Sequence, residues 1–295
     1  MAQTSGWIIL DKPAGIFSRS AGSRIARMLG VKKFGHIGTL DPMASGVLPL
    51  AIGDATKMIP YIEERAGADT KEYLFSFVFG IQTTTDDITG DVVRRDNITP
   101  DADAVRTAAQ ALVGDIMQTP PAFSAVHVDG RRAYELARAG QNVEISPRPV
   151  HIDSLEFTGM NGQSWVFRVV CSRGTYVRSI ATDIARACGT IATVDMIRRV
   201  RSGPFDIKNA QKLDFLENVG NNGGDIGKYL MPADYGLADI PVLNLRHAVA
   251  VRFTHGATVQ IEKGMANGIV RVYDGDVFVG IGTVANDVVM PKRIL

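Results

Sequence analysis

The stretch KEYLFSFVFG, residues 71–80, limits the fold more than any other. It is rich in aromatics and apolar at both sets of alternating positions. A strand that is apolar on both faces belongs in the middle of a sheet rather than at its edge. The segments around it are mostly strand-like. WIIL (7–10) reads as a short buried strand running into the turn DKPAG, and HIDSLEFTG and WVFRVVCS read as two strands joined by the Gly-containing turn MNGQ. TIATVDMIRRVRSGPF reads as a strand with a basic end, and QTTTDDITGD (82–91) as a polar loop. Helical spacing marks three segments. SRSAGSRIARMLG ends in a capping Gly30, TPDADAVRTAAQALVG (99–114) opens on a capping Thr or Asp, and TYVRSIATDIARACG (175–189) is amphipathic. This mixed, strand-rich order predicts an α+β fold rather than an alternating βαβ one.

The Gly/Asn-rich stretch NVGNNGGDIG (218–227) marks a boundary. Beyond it, residues 239–295 read as a small β-module, with Asp274-Gly275 as a hairpin signal between two β-rich runs. Residues 118–150, bounded by prolines, basic and aromatic, with a short helix from about Arg131 to Ala139, read as an excursion from the core. No apolar run approaches the ~20 residues of a membrane helix. The first residues lack the basic region and cleavage site of a secretory leader. Two cysteines, Cys171 and Cys188, suggest no disulfide framework and favour a reduced, cytoplasmic protein. The five histidines are scattered, so no metal site is expected.

Net charge is only +1, but it is unevenly spread. Residues 1–60 carry seven Lys/Arg against three Asp/Glu, residues 63–103 ten acids against four bases, and residues 168–208 eight bases against three acids. Separated basic and acidic faces make a polyanion partner plausible, although a charged run is often only a solvated face.

Within GHIGTLDPMASGVLPLAIGDATK (35–57), Asp41 is held between Leu40 and Pro42 in otherwise apolar, Gly-rich surroundings. Pro42 restricts it to extended conformations, and the glycines allow close approach of backbone or ligand. The residue types leave three roles open for Asp41: turn former, metal ligand without neighbouring acids or histidines, or catalytic carboxylate. The last needs a nearby cation to offset burial. CSRGTYVRSI offers Arg173 and Arg178.

Four separated segments, WIILDKPAGIFS (7–18), GHIGTLDPMASGVLPLAIGDATK (35–57), KEYLFSFVFG (71–80) and CSRGTYVRSIATDIA (171–185), together with IRRVRSGPF (197–205), resemble the TruB family of tRNA pseudouridine-55 synthases. The resemblance covers roughly residues 7 to 235. It implies a pseudouridine synthase-type mixed, mostly antiparallel sheet flanked by helices, over residues 1–235, and a small PUA-like RNA-binding domain over 239–295. It also implies a reaction without redox change, hence no cofactor. The bond from uracil N1 to ribose C1′ is broken, the base is turned, and it is rejoined through C5. Asp41 matches the catalytic aspartate, acting either as nucleophile on the sugar or as base at C2′. Arg178 matches its arginine partner. Tyr73 matches the tyrosine that stacks on the target uracil, Tyr176 a second tyrosine near the pocket, and Ile197 an aliphatic wall residue where the family commonly has Leu. Lys12 and Pro13 match a structural KP turn. His36 matches the histidine that fills the space left by the flipped base. Ile37 stands where the family usually has Thr, which puts the packing of that loop in question.

The resemblance further implies that residues 118–150 form an RNA-gripping insertion in which Arg131, Arg132 and Arg148 contact phosphates. Arg198, Arg199 and Arg201 would do likewise or form ion pairs at the edge of the core. The expected partner is tRNA through its T-arm stem-loop, with no membrane, no obligate protein partner and a monomeric chain. Three rivals remain: a guide-dependent synthase sharing GTLDP, a non-catalytic RNA-folding protein on the same fold, and a hydrolase using Asp41. The chain lacks the guide-dependent type's Lys-rich tail, and the hydrolase reading lacks a visible second catalytic group.

Overall fold

The computed structural model describes residues 4–65, 70–128, 130–141 and 143–295. The first three residues, part of the stretch without leader features, lie outside the described residues. The main sheet runs through Gly6–Lys12 (β1), Ser45–Ile52 (β2), Lys71–Phe79 (β3), Gly114–Gln118 (β4), Arg148–Asn161 (β5), Ser164–Cys171 (β6), Ala192–Ser202 (β7) and Gln211–Lys212 (β8). Their spatial order is β8-β1-β2-β7-β3-β6-β5-β4, with Phe34–His36 added on β2 and Phe205–Asp206 on β7. The contacts β1–β8 and β2–β7 are parallel, and the other pairs along the path are antiparallel. The sheet is thus mixed and mostly antiparallel, with helices against it.

Strand β3 lies inside the sheet between β7 and β6, as its apolar pattern demands. Its two faces are not equally covered. Phe75 and Phe77 are fully buried and stack with Phe167 at ring separations of 5.6 and 5.4 Å. Leu74 and Val78, on the opposite face, are only partly buried. Helices Ser18–Met28, Ala102–Gln110, Val177–Ala187 and Leu213–Asn221 bury Ile25, Val105, Ile184 and Leu216 against the first face. Asp101 caps the second of these by accepting from the N–H groups of Asp103 and Ala104.

The other face carries a smaller cluster of Trp7, Ile9, Val47, Tyr61, Phe205 and Leu237. Ile281 from the C-terminal sheet completes it. That sheet has five strands in the order Val242–Leu245, Gly268–Asp274, Val277–Ala285, Val288–Ile294, Val259–Gln260. Its predicted hairpin forms with the turn shifted by one residue. Asp274 pairs with Val277, and Gly275 takes the positive φ of 59° that the first turn position requires.

The stretch 218–227 does not separate the two sheets. Its first part continues the Leu213–Asn221 helix, and Ile226 is buried. The passage between the sheets comes later. Met231 and Trp7 exchange backbone hydrogen bonds of 2.9 and 2.7 Å, and the Trp7 indole donates to the Ala233 carbonyl. Asp234, almost fully buried, then accepts from Arg271 at 2.7 Å and from the Tyr273 hydroxyl.

Candidate active site

Asp41 lies in the turn between the Phe34–His36 strand and β2, and its neighbours are fixed from both sides. Ser18 donates to the Leu40 carbonyl and accepts from the Leu40 N–H, each at 2.9 Å. The Pro42 carbonyl accepts from Gly15 N–H at 2.7 Å and from Lys12 Nζ at 3.3 Å. Lys12 also donates to the carbonyls of Pro13 and Ile16 and is fully buried. Burial pushes this ammonium down to about 8, against the pull of Asp41. The KP turn is therefore structural, and it anchors the loop that carries the acid.

Arg178, not Arg173, meets Asp41. Its Nη2 lies 2.8 Å from Asp41 Oδ2. Arg178 sits in the first turn of the Val177–Ala187 helix, where the helix dipole disfavours a cation. Acceptors offset that placement. Nη1 donates to Thr85 O at 2.8 Å and Nη2 to Phe123 O at 3.0 Å. Nε lies 3.8 Å from Asp87 Oδ2, without a hydrogen bond. The arginine side chain is 3% exposed and the aspartate 36%, so the guanidinium is locked while the carboxylate faces a cavity.

That cavity, about 210 Å³, is lined by Asp41, Lys71, Tyr73, Tyr176, Arg178 and Ile197, among others. Tyr73 and Ile197 reach it from neighbouring strands β3 and β7. Burial pushes the Tyr73 phenol up, and the Arg199 charge opposes this. Tyr176 precedes the Val177–Ala187 helix. Its backbone N–H donates to Gln118 Oε1 at 2.7 Å, and Gln118 Nε2 donates back to its carbonyl. Burial pushes its phenol up too. His36 lies beside the cavity, 3.3 Å from Thr39 Oγ1, and burial followed by the charges of Arg199 and Arg19 favours its neutral form.

Ile37 turns away from the site. It is buried in the cluster with Trp7, Val47 and Phe205, which answers the question raised by the missing Thr. Arg131 and Arg132 lie on an exposed two-strand ribbon with His127–Val128, and Arg132 donates to Ala125 O. Arg148 opens β5 opposite Gln118. None of the three lines the cavity. The basic run in β7 departs from the phosphate reading. Arg198 forms a two-pronged pair with Asp11 at 2.8 and 3.0 Å, Arg201 pairs with Glu72, and Arg199 is wholly buried.

The loop 82–91 contributes more than its polarity suggested. Asp87 is buried, and its Oδ1 accepts from Thr85 Oγ1, Thr89 N and Thr89 Oγ1. Adjacent acids in a Thr-rich turn signal this local capping. Nothing in the sequence points from Asp87 to Arg178, 91 positions further on. Lys71 was likewise not singled out, yet it lines the cavity.

The architecture is that of the pseudouridine synthases. The chain superposes on the protein of a solved structure described as an H/ACA RNP bound to a substrate RNA containing 2′-deoxyuridine, with a TM-score of 0.69 and 23% identity, covering 99% of this chain and 85% of that one. A Cbf5-Nop10-Gar1 complex gives a TM-score of 0.68 at 24% identity, covering 98% and 84%. Sequence comparison narrows this class. The model for the N-terminal domain of TruB family pseudouridylate synthases matches residues 26–177. That for the C-terminal domain of tRNA pseudouridylate synthase B matches 178–238, and that for the C-terminal region of pseudouridine synthase II TruB matches 241–295. The chain is 39% identical to tRNA pseudouridine synthase B of Gluconacetobacter diazotrophicus, over 98% of this chain and 97% of that one. It is 41% identical to the protein of the same name from Ehrlichia ruminantium, over 98% of each. The chain belongs to the TruB family.

Proposed function

We propose that the chain isomerises uridine 55 in the T-loop of tRNA to pseudouridine, with Asp41 as the catalytic carboxylate. The observation that carries this reading is the 2.8 Å pair between Asp41 and the locked Arg178 at a cavity walled by Tyr73 and Ile197. A uracil flipped out of the loop enters the cavity, stacks on Tyr73, and presents its glycosidic bond to Asp41. Arg178 fixes the direction of the carboxylate, which attacks C1′ or takes the C2′ proton. His36, beside the cavity, occupies the space the base leaves. Tyr176 borders the bound nucleotide.

Residues 1–235 form the catalytic domain. The insertion 118–150 grips RNA through Arg131, Arg132 and Arg148, whose exposure suits phosphate contact. Residues 239–295 form a PUA-like module that touches the acceptor side of tRNA. The chain acts as a monomer in the cytoplasm without protein partner or cofactor. The test is incubation of purified protein with an unmodified T-arm stem-loop, without guide RNA, followed by nucleoside analysis. Pseudouridine at the single target position, abolished in Asp41→Asn, is expected. Absence of product under single-turnover conditions refutes the reading. Full product from Asp41→Asn removes the acid from the chemistry.

A further inference from the structure

Arg199 is fully buried, and among the described residues it forms no ion pair with a carboxylate. Its Nε donates to Val47 O at 2.7 Å and its Nη2 to Gly38 O at 2.8 Å, and the Tyr73 phenol lies beside the same guanidinium. Directly across the β7–β3 pair stands Tyr73. One guanidinium thus touches the turn that carries Asp41, the strand β2 that follows it, and the side chain of Tyr73 on the neighbouring strand. Two glycines are shaped to it. A Cβ on Gly46 would lie 2.1 Å from the Arg199 carbonyl oxygen, and a Cβ on Gly38 3.0 Å from Nη1. Both glycines have positive φ, 101° and 66°.

A buried cation without a counter-charge is a poor device for stability. Its desolvation costs free energy that hydrogen bonds to two carbonyls offset only in part. Rule-breaking residues of this kind are found at functional sites.

We propose that Arg199 is a positioning residue for the isomerisation: it fixes the Asp41 loop relative to Tyr73, so that acid and base platform grip the same nucleotide. The inference rests on the cavity being the isomerisation site. The two are separable, because the wild type must make pseudouridine and Asp41→Asn must not before any Arg199 result is read.

The experiment compares single-turnover rates on a T-arm stem-loop, RNA affinities and melting temperatures for Arg199→Met, Tyr73→Phe and the double variant. Arg199→Met is expected to slow the reaction by about 10²-fold, the scale of a small misplacement of reacting groups, with unchanged RNA affinity. Its melting temperature is expected to fall, because two buried carbonyls lose their donor, with the protein still folded at the assay temperature. Because Arg199 acts through the placement of Tyr73, the same substitution in the Tyr73→Phe background is expected to cost at least about threefold less. A rate for Arg199→Met near wild type overturns the inference. So does a loss that is equal in both backgrounds, or one that follows a fall in RNA affinity. If Arg199→Met does not fold, Arg199→Lys carries the test. It keeps the charge but cannot fork to two carbonyls, so a loss of about tenfold with unchanged affinity supports the inference and full rate overturns it.

Discussion

Replacing Arg178 with Lys keeps the charge and removes the fork. In the wild type two terminal nitrogens divide three acceptors: Nη1 serves Thr85 O, and Nη2 serves Asp41 and Phe123 O. One ammonium cannot occupy both nitrogen positions, so at least one charge-assisted hydrogen bond is lost at a side chain only 3% exposed. Such a bond is worth about 1.5–3 kcal/mol. Against a total stability of about 5–15 kcal/mol, the variant stays folded at 25 °C. The loss of rate is larger than the loss of stability suggests, because the carboxylate loses its aim. A misplacement near 1 Å costs about 10²-fold. RNA affinity should fall by no more than about threefold, since Arg178 is enclosed and its contact is with the acid rather than the phosphates. The assay is single-turnover conversion of a T-arm stem-loop with protein in excess, scored by nucleoside analysis, beside a direct binding measurement. A variant that converts substrate within about twofold of the wild-type rate would refute the claim that the fork, rather than the charge, directs Asp41.

Three further outcomes are expected. Gly46→Ala drives a Cβ to 2.1 Å from the Arg199 carbonyl at a φ of 101°, so chemical denaturation should show a loss of more than about 3 kcal/mol, and a loss below 1 kcal/mol would contradict the packing. Lys12, lowered to about 8 from 10.5, stays protonated in the unfolded chain but not in the fold between those values. Stability should therefore rise with pH through that window by up to about 3 kcal/mol, and a matching unfolding series on Lys12→Met should lose this slope. Arg131→Ala and Arg132→Ala should each lower the salt dependence of RNA binding by about one unit of log–log slope while leaving the single-turnover rate at saturating protein unchanged, and an unaltered slope would place both outside the RNA contact.

Much of the fold could be read from residue patterns because local physics agreed with the global answer. The aromatic run at 71–80 fixed an interior strand, and Asp101 and Gly30 marked helix ends that the structure keeps. The stretch 218–227 misled because glycine and asparagine also end and cap helices; Asn218 and Gly220 lie inside one that packs on the core. At the site, local features showed that Asp41 was unusual but not what it meets. Its partner stands 137 positions away, and only the resemblance selected Arg178 over Arg173. Asp87 escaped notice because its threonine contacts are local whereas its approach to Arg178 is tertiary. The arginines of β7 share one basic signature, yet pairing and burial give them different surroundings.

The cluster that joins Ile281 to Trp7 and Phe205 makes the C-terminal sheet part of the foundation on which the larger sheet rests. Truncating the chain before that sheet would strip cover from an indole and a phenyl ring on one face of the larger sheet. Such a fragment would be prone to self-association, so lost turnover in a truncated protein would report on its solubility before it reported on tRNA recognition.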